Sequence, residues 1–238
     1  MIASKPVVLY GHNADISIAG YTPNPSKVVM ILEELSIPYE HIIIDLAVVK
    51  EEPYLSINPN GRLPAIKDPN TGITLWESGA IVEYLVETYD DAGALSLASR
   101  GDRFLLKQWL HFQVSGQGPY FGQLGWFKLF HPEDVPSAKE RYEEQTVRVL
   151  SVLDRALKGK EYLVGDKATY ADISFMPWDY LARKLIGEGW NDKWEVDTKY
   201  PDYAAWAERI RARPVVKNVL ETMGKQRAAE EEQAKTQE

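Results

Sequence analysis

Two short stretches carry residue types on which binding chemistry can be built. In the first, Ser56-Ile57-Asn58-Pro59-Asn60-Gly61-Arg62-Leu63-Pro64, an Asn-Pro-Asn-Gly turn leads to a proline that opens the apolar run Ala65-Ile66. Proline at the first residue of a strand loses no ladder donor, and the residue before it is held extended. The spacing therefore presents the N–H and C=O of Leu63 as a strand edge, to which an extended peptide can pair. In the second stretch, Leu75-Trp76-Glu77-Ser78-Gly79-Ala80-Ile81, an apolar strand closes and a helix opens, with Ser78 as its expected N-cap. A carboxylate and a hydroxyl at a helix N-terminus form a receptor for a zwitterion. Glu77, expected to be buried beside Ser78, would take an ammonium, while the Ser78 hydroxyl and nearby N–H groups take a carboxylate. An amino-acid backbone meets both demands. Taken alone, Glu77-Ser78 reads equally well as an ordinary capped helix, and it is the pairing with Leu63-Pro64 that points to a ligand.

A third stretch, Thr22-Pro23-Asn24-Pro25-Ser26, runs into a helix with apolar positions Val28, Ile31, Leu32 and Leu35. Asn24 is placed to cap that helix, with Pro25 at its first position. The same physics suits a sulfur: a helix N-terminus with side-chain donors from Thr22 and Asn24 favours a thiolate over a thiol. Lowering a thiol pKa by about two units needs roughly 2.7 kcal/mol. A helix end supplying up to ~2 kcal/mol and one charge-assisted hydrogen bond at about 1.5 to 3 suffice. Tyr10 belongs to the first strand or its end, short of the turn.

The elements that must position these residues follow from pattern. Val7-Val8-Leu9-Tyr10 reads as a buried strand, and Gly11 to Tyr21 as a polar excursion at the mouth of the site, shaping the pocket or decorating it. Tyr39 to Ile44 reads as a second strand, parallel to the first across the helix, in a βαβ unit. Asp45 to Ile57 is a loop with a short irregular helix. Ile73 and Leu75 lie on a further strand, and the helix from Ser78 runs through Ile81, Tyr84 and Leu85 to Tyr89. Glycine and short polar residues then mark an interdomain linker, 91–98. Beyond it the pattern is helical. Asp102 to about Gln117 carries an apolar stripe and ends at Gly116-Gln117-Gly118-Pro119, expected to break or kink the helix. Ser137 to Leu157 is amphipathic, Thr169 with Asp172 forms a capping box, and Pro201 to Arg211 and Pro214 to about Met223 complete the domain. The Glu-, Gln-, Lys- and Ala-rich tail, 225–238, lacks apolar anchors and reads as a frayed, solvated helix.

Composition excludes several function classes. The 238 residues are 45% hydrophobic and 26% charged, enough for a sizeable core. A net charge of −8 with no Lys/Arg cluster argues against nucleic acid as a partner. No apolar run approaches the ~20 residues of a membrane span, no secretory start is evident, and cysteine is absent, so a cytoplasmic protein without membrane association is expected. His12, His41, His111 and His131 lack the close spacing of a zinc site, so no metal is expected. No glycine-rich phosphate loop supports a nucleotide cofactor.

The three stretches together resemble the glutathione transferases. Residues from about Val7 to Tyr89 resemble that family's thioredoxin-like N-terminal domain, and the likeness continues to about Leu220. Thr22-Pro23-Asn24, Asn58-Pro59-Asn60-Gly61-Arg62 and Trp76-Glu77-Ser78-Gly79-Ala80-Ile81 are most similar to the fungal nitrogen-regulator-like and bacterial Nu-class members. The resemblance implies a thioredoxin-like α/β domain over 1–90 and an all-helical domain over 99–224 that holds the electrophile pocket and the homodimer interface. It implies a cis bond at Leu63-Pro64, with Leu63, Pro64, Glu77 and Ser78 binding glutathione as substrate. Lys50 or Arg62 would reach the ligand's C-terminal carboxylate, Lys50 having a solvated surface lysine as its alternative. Asn24 and Thr22 would act on the thiol, with Tyr21 and Ser26 as rivals, since in many transferases a tyrosine or serine at this turn does so. Tyr120, Phe121, Trp126, Phe127 and Phe130 would line the apolar second site or simply fill the helical core. The implied activity is conjugation of glutathione to a hydrophobic electrophile, as in detoxification. One alternative is a glutathione-dependent disulfide or peroxide reductase, in which both thiols would come from glutathione. Another is a non-catalytic regulatory protein, ranked third because the long Asn-rich N-terminal extension of the nitrogen regulator is not seen before Val7.

Overall fold

The computed structural model describes residues 2–11 and 23–224. The expectations for Tyr21, Thr22, most of the 11–21 excursion and the 225–238 tail lie outside the described residues. By their internal contacts the residues form two compact units, Met1–Ser96 with Pro214–Glu238, and Leu97–Arg213.

The first unit is built on a four-stranded sheet in the order β2-β1-β3-β4. Strand β1 (Val7–Gly11) leads to helix α1 (Pro23–Glu34) and on to β2 (Tyr39–Ile43), which pairs parallel with β1 from Val7 against Tyr39 to Gly11 against Ile43. This is the expected βαβ unit. A short 3₁₀ turn (Tyr54–Ser56) follows, then β3 (Ala65–Asp68), antiparallel to β1, and β4 (Ile73–Trp76), antiparallel to β3. Helix α2 (Ser78–Tyr89) closes the unit and packs on α1. Val7, Leu9, Val28, Ile31, Leu32, Ile66, Ile81, Val82 and Leu85 are all fully buried. A smaller cluster, with Tyr10, Val49, Tyr54 and Ala65 at its centre, takes in part of Ile57 and Leu63. Asp68, 1% exposed, ties β3 to α2 by accepting from the hydroxyls of Tyr84 (2.6 Å) and Tyr89.

The 91–98 segment is an organised turn. The Asp90 carboxylate accepts from the N–H groups of Ala94, Leu95 and Ser96.

The second unit is helical: α3 (Arg100–Phe112), α4 (Gly118–Leu129), α5 (Pro136–Leu157), α6 (Tyr170–Ser174), α7 (Met176–Ile186), α8 (Gly189–Asp192), α9 (Val196–Lys199) and α10 (Pro201–Arg211). Of the break or kink expected at Gly116-Gln117-Gly118-Pro119, the break is corrected by the structure. A π-helical turn, Gln113–Gln117, joins α3 to α4 without leaving the helical conformation. Pro119 falls at the start of α4. Asp172 satisfies the capping box with Thr169 and also accepts from the Leu163 N–H and Trp206 Nε1 at 3.0 and 2.8 Å. Residues 214–224 are helical and, although expected with the helical domain, group with the first unit; Val216, Leu220 and Met223 are buried.

Candidate functional site

The first unit contains a cavity of about 160 Å³ lined by Asn24, Asn58, Asn60, Arg62, Leu63, Pro64, Glu77 and Ser78. Three stretches far apart in sequence thus converge on one space: the start of α1, the turn before β3, and the β4–α2 junction.

The turn is fixed from beneath. Asn58, 1% exposed, donates from Nδ2 to the Arg62 carbonyl at 2.6 Å and accepts the Asn60 N–H at 3.0 Å, while the Gly61 N–H donates to the Asn58 carbonyl at 2.9 Å. The Tyr54 hydroxyl donates to the same Arg62 carbonyl at 2.7 Å. Burial pushes that phenol up to about 12, so it remains a donor at neutral pH. Gly61 has φ +57°, and a Cβ there would stand 3.0 Å from the Val49 carbonyl oxygen, so this position accepts glycine for two reasons. The turn delivers Leu63, half-buried, to a cis bond with Pro64. Ladder pairing in β3 begins only at Ala65, which leaves Leu63 ahead of the sheet, as a strand edge requires.

At the β4–α2 junction two expectations are corrected. Helix α2 starts at Ser78, with Glu77 in the cap position, and the Ser78 oxygen does not cap. It accepts from Lys27 Nζ at 3.0 Å instead. Glu77 is exposed, with its backbone at φ 71° and ψ 112°, and it lines the cavity. A non-glycine residue at positive φ costs on the order of 1 to 3 kcal/mol and persists where the surroundings hold it.

At the third corner, α1 is helical from Pro23, so Asn24 lies inside the first turn instead of capping it. Pro25 is buried, and Ser26 is buried outside the cavity lining, which removes Ser26 from the wall. Tyr10 lies within β1, opposite Ala65, and is buried. Arg62 lines the cavity and is exposed. Lys50 is exposed and outside the lining, though its side chain packs close to Gly61.

One residue of the site escaped the sequence reading. Lys27 is 0% exposed, and its ammonium donates to Asn24 Oδ1 at 3.3 Å and to Ser78 Oγ at 3.0 Å. Burial lowers its pKa to about 7, with the Glu77 carboxylate pulling the other way. The signal was present, because Lys27 stands one turn before Ile31 on the buried stripe of α1, where a charged residue is out of place.

The aromatics of the second unit divide. Phe121 is fully buried, Phe127 stacks on Tyr142 at 5.6 Å, and Trp126 and Phe130 are exposed and stacked on each other at 6.1 Å. Among the described residues no helix is long and apolar enough to cross a membrane, and no cluster of His, Asp and Glu could hold a metal ion.

Comparison with known proteins places this arrangement. The family model described as glutathione S-transferase, N-terminal domain matches residues 21–88, and that described as glutathione S-transferase, C-terminal domain matches 119–214. The chain is 50% identical over 207 residues to the glutathione S-transferase-like protein gedE of Aspergillus terreus, covering 83% of this chain and 90% of that protein. Among solved structures it is similar to the glutathione transferase URE2P6 of Phanerochaete chrysosporium in complex with oxidized glutathione. The TM-score is 0.83 at 42% identity, over 94% of this chain and 98% of that one. It is also similar to Ure2p5 of the same organism cocrystallized with 1-(S-glutathionyl)-2,4-dinitrobenzene, with a TM-score of 0.81 at 36% identity, over 93% and 96%.

Proposed function

The chain belongs to the glutathione S-transferase family, and we propose that it binds glutathione in the cavity of its first unit and ionises the thiol for attack on a hydrophobic electrophile. The observation that carries this reading is the convergence of Asn24, Leu63-Pro64 and Glu77-Ser78 on one cavity. Glu77 takes the ammonium of the γ-glutamyl group, and the Ser78 hydroxyl with the first N–H groups of α2 takes its carboxylate. The Leu63 main chain pairs with the cysteinyl unit as an added strand would. Arg62, on the cavity wall, is the cation for the glycyl carboxylate; Lys50 stands farther back. Asn24, with Thr22, donates to the sulfur at the N-terminal end of α1 and favours the thiolate. With a chlorinated nitroaromatic, the thiol proton goes to solvent, the sulfur–carbon bond forms and chloride leaves.

A second reading rests on the neighbour in complex with oxidized glutathione. In a disulfide reductase, one glutathione thiolate attacks a substrate disulfide and a second resolves the mixed disulfide, giving two substrate thiols and oxidised glutathione. With no cysteine in the chain, both electrons come from glutathione. Steady-state assays with a chlorinated nitroaromatic and with a low-molecular-weight disulfide separate the two. Turnover of the first alone supports the transferase and of the second alone the reductase, and glutathione binding without either marks the regulatory alternative.

A further inference from the structure

We propose that Lys27 is a positioning residue that makes donors of Asn24 and Ser78, and so links the thiol end of the site to its γ-glutamyl end. The inference rests on the reading above and extends it to a residue that lies behind the cavity wall. In its charged form, held below a pKa of about 7, Lys27 can only donate. Its contacts to Asn24 Oδ1 and Ser78 Oγ therefore fix the polarity of both groups. An amide that accepts through its oxygen turns its NH₂ end, with two hydrogens, away from the lysine, and a hydroxyl that accepts from an ammonium keeps its own hydrogen to give. Both cavity-lining side chains are then set to donate to anions, a thiolate at one end and a carboxylate at the other.

The electrostatics point the same way. Lys27 sits near the N-terminal end of α1 and touches the first residue of α2, where both helix dipoles already present positive potential. The two oxygens to which it donates, Asn24 Oδ1 and Ser78 Oγ, are neutral, and its carboxylate neighbour, Glu77, is exposed. Burying an ammonium in such a place is costly. The arrangement makes sense when the field is directed at an anionic ligand, and a structural tie between two helices would be met as well by a neutral side chain.

The test uses the full chain with Lys27→Met, which keeps length and removes charge. Its thermal midpoint is expected at or above that of the wild type. Glutathione should bind about tenfold more weakly, and the pKa of the bound thiol, read from thiolate ultraviolet absorbance, should rise by about one unit. In a Ser78→Ala background the same substitution should cost less, because Lys27 acts partly through Ser78. A lowered midpoint with an unchanged thiol titration would leave Lys27 as a helix tie and overturn the proposal. If Lys27→Met does not fold, a cycle with Asn24→Ala and Ser78→Ala decides: the two should couple in glutathione affinity although they do not bond each other, and strict additivity would overturn the proposal. Wild-type protein that fails to bind glutathione would instead overturn the proposed function, and this inference with it.

Discussion

The side-chain Nδ2 of Asn58 donates to the carbonyl oxygen of Arg62 at 2.6 Å, immediately before Leu63 in the chain. Through this bond and that of Tyr54 to the same oxygen, the direction of the Leu63 main chain is set from inside the unit. Asn58→Ala removes the donor and the acceptor for the Asn60 N–H together. The expected loss of stability is about 1 to 3 kcal/mol, the cost of buried groups left unpaired. Glutathione affinity should fall further than in Tyr54→Phe, which removes a single bond to that carbonyl. Denaturant titration and calorimetry of both variants check this, and equal effects would show that the Asn58 turn does not position Leu63.

Glu77 holds a positive φ of 71° at the cavity mouth. Glu77→Gly should be more stable than Glu77→Ala by about 1 kcal/mol, because glycine adopts that backbone without the Cβ penalty. Both should lose glutathione affinity by about 1 to 2 kcal/mol, the lower part of the range for a charged hydrogen bond, since the carboxylate is exposed. Equal stabilities of the two variants, or wild-type binding in either, would contradict the assignment.

Lys27 links stability to pH. Its folded-state pKa of about 7 lies below the ordinary lysine value of 10.5. Between those values the unfolded chain holds a proton that the folded chain has released, so stability rises with pH; below about 7 both states are charged and the burial cost is constant. The slope has an upper limit of about 1.4 kcal/mol per pH unit. Denaturation midpoints of the ligand-free protein at pH 7 and 9.5 should show this gain in the wild type and a smaller one in Lys27→Met. Parallel profiles would contradict it.

The βαβ unit, the separate strands at Ala65-Ile66 and Ile73-Leu75, and the capping box at Thr169 and Asp172 were legible because each is written in local pattern: apolar runs, periodic stripes and cap residues. So was the meeting of Leu63-Pro64 with Glu77-Ser78, since both flank the β3–β4 pair. What local pattern could not convey was which way a side chain turns once α1 and α2 pack together. Ser78 was expected to serve its own helix and serves Lys27 instead. Glu77 was expected to be buried beside Ser78 and is exposed. The helix through Gly116 to Pro119 continues by way of a π turn, Gln113–Gln117, a register change that composition does not reveal. Lys27 was passed over because lysine is ordinarily a surface residue, and one of its two acceptors, Ser78, is 51 residues away.

The central claim is that the cavity of the first unit holds glutathione with its thiol ionised by Asn24. The measurement that tests it most directly is the thiolate ultraviolet absorbance of bound glutathione, titrated with pH in wild type, Asn24→Ala and Tyr21→Phe. The wild type should show a thiol pKa depressed by about two units. In Asn24→Ala it should rise by about one unit, near 1.4 kcal/mol, with glutathione affinity within a few-fold of wild type, and Tyr21→Phe should titrate as wild type does. An unchanged titration in Asn24→Ala beside a shifted one in Tyr21→Phe would contradict the account and move the activating role to Tyr21.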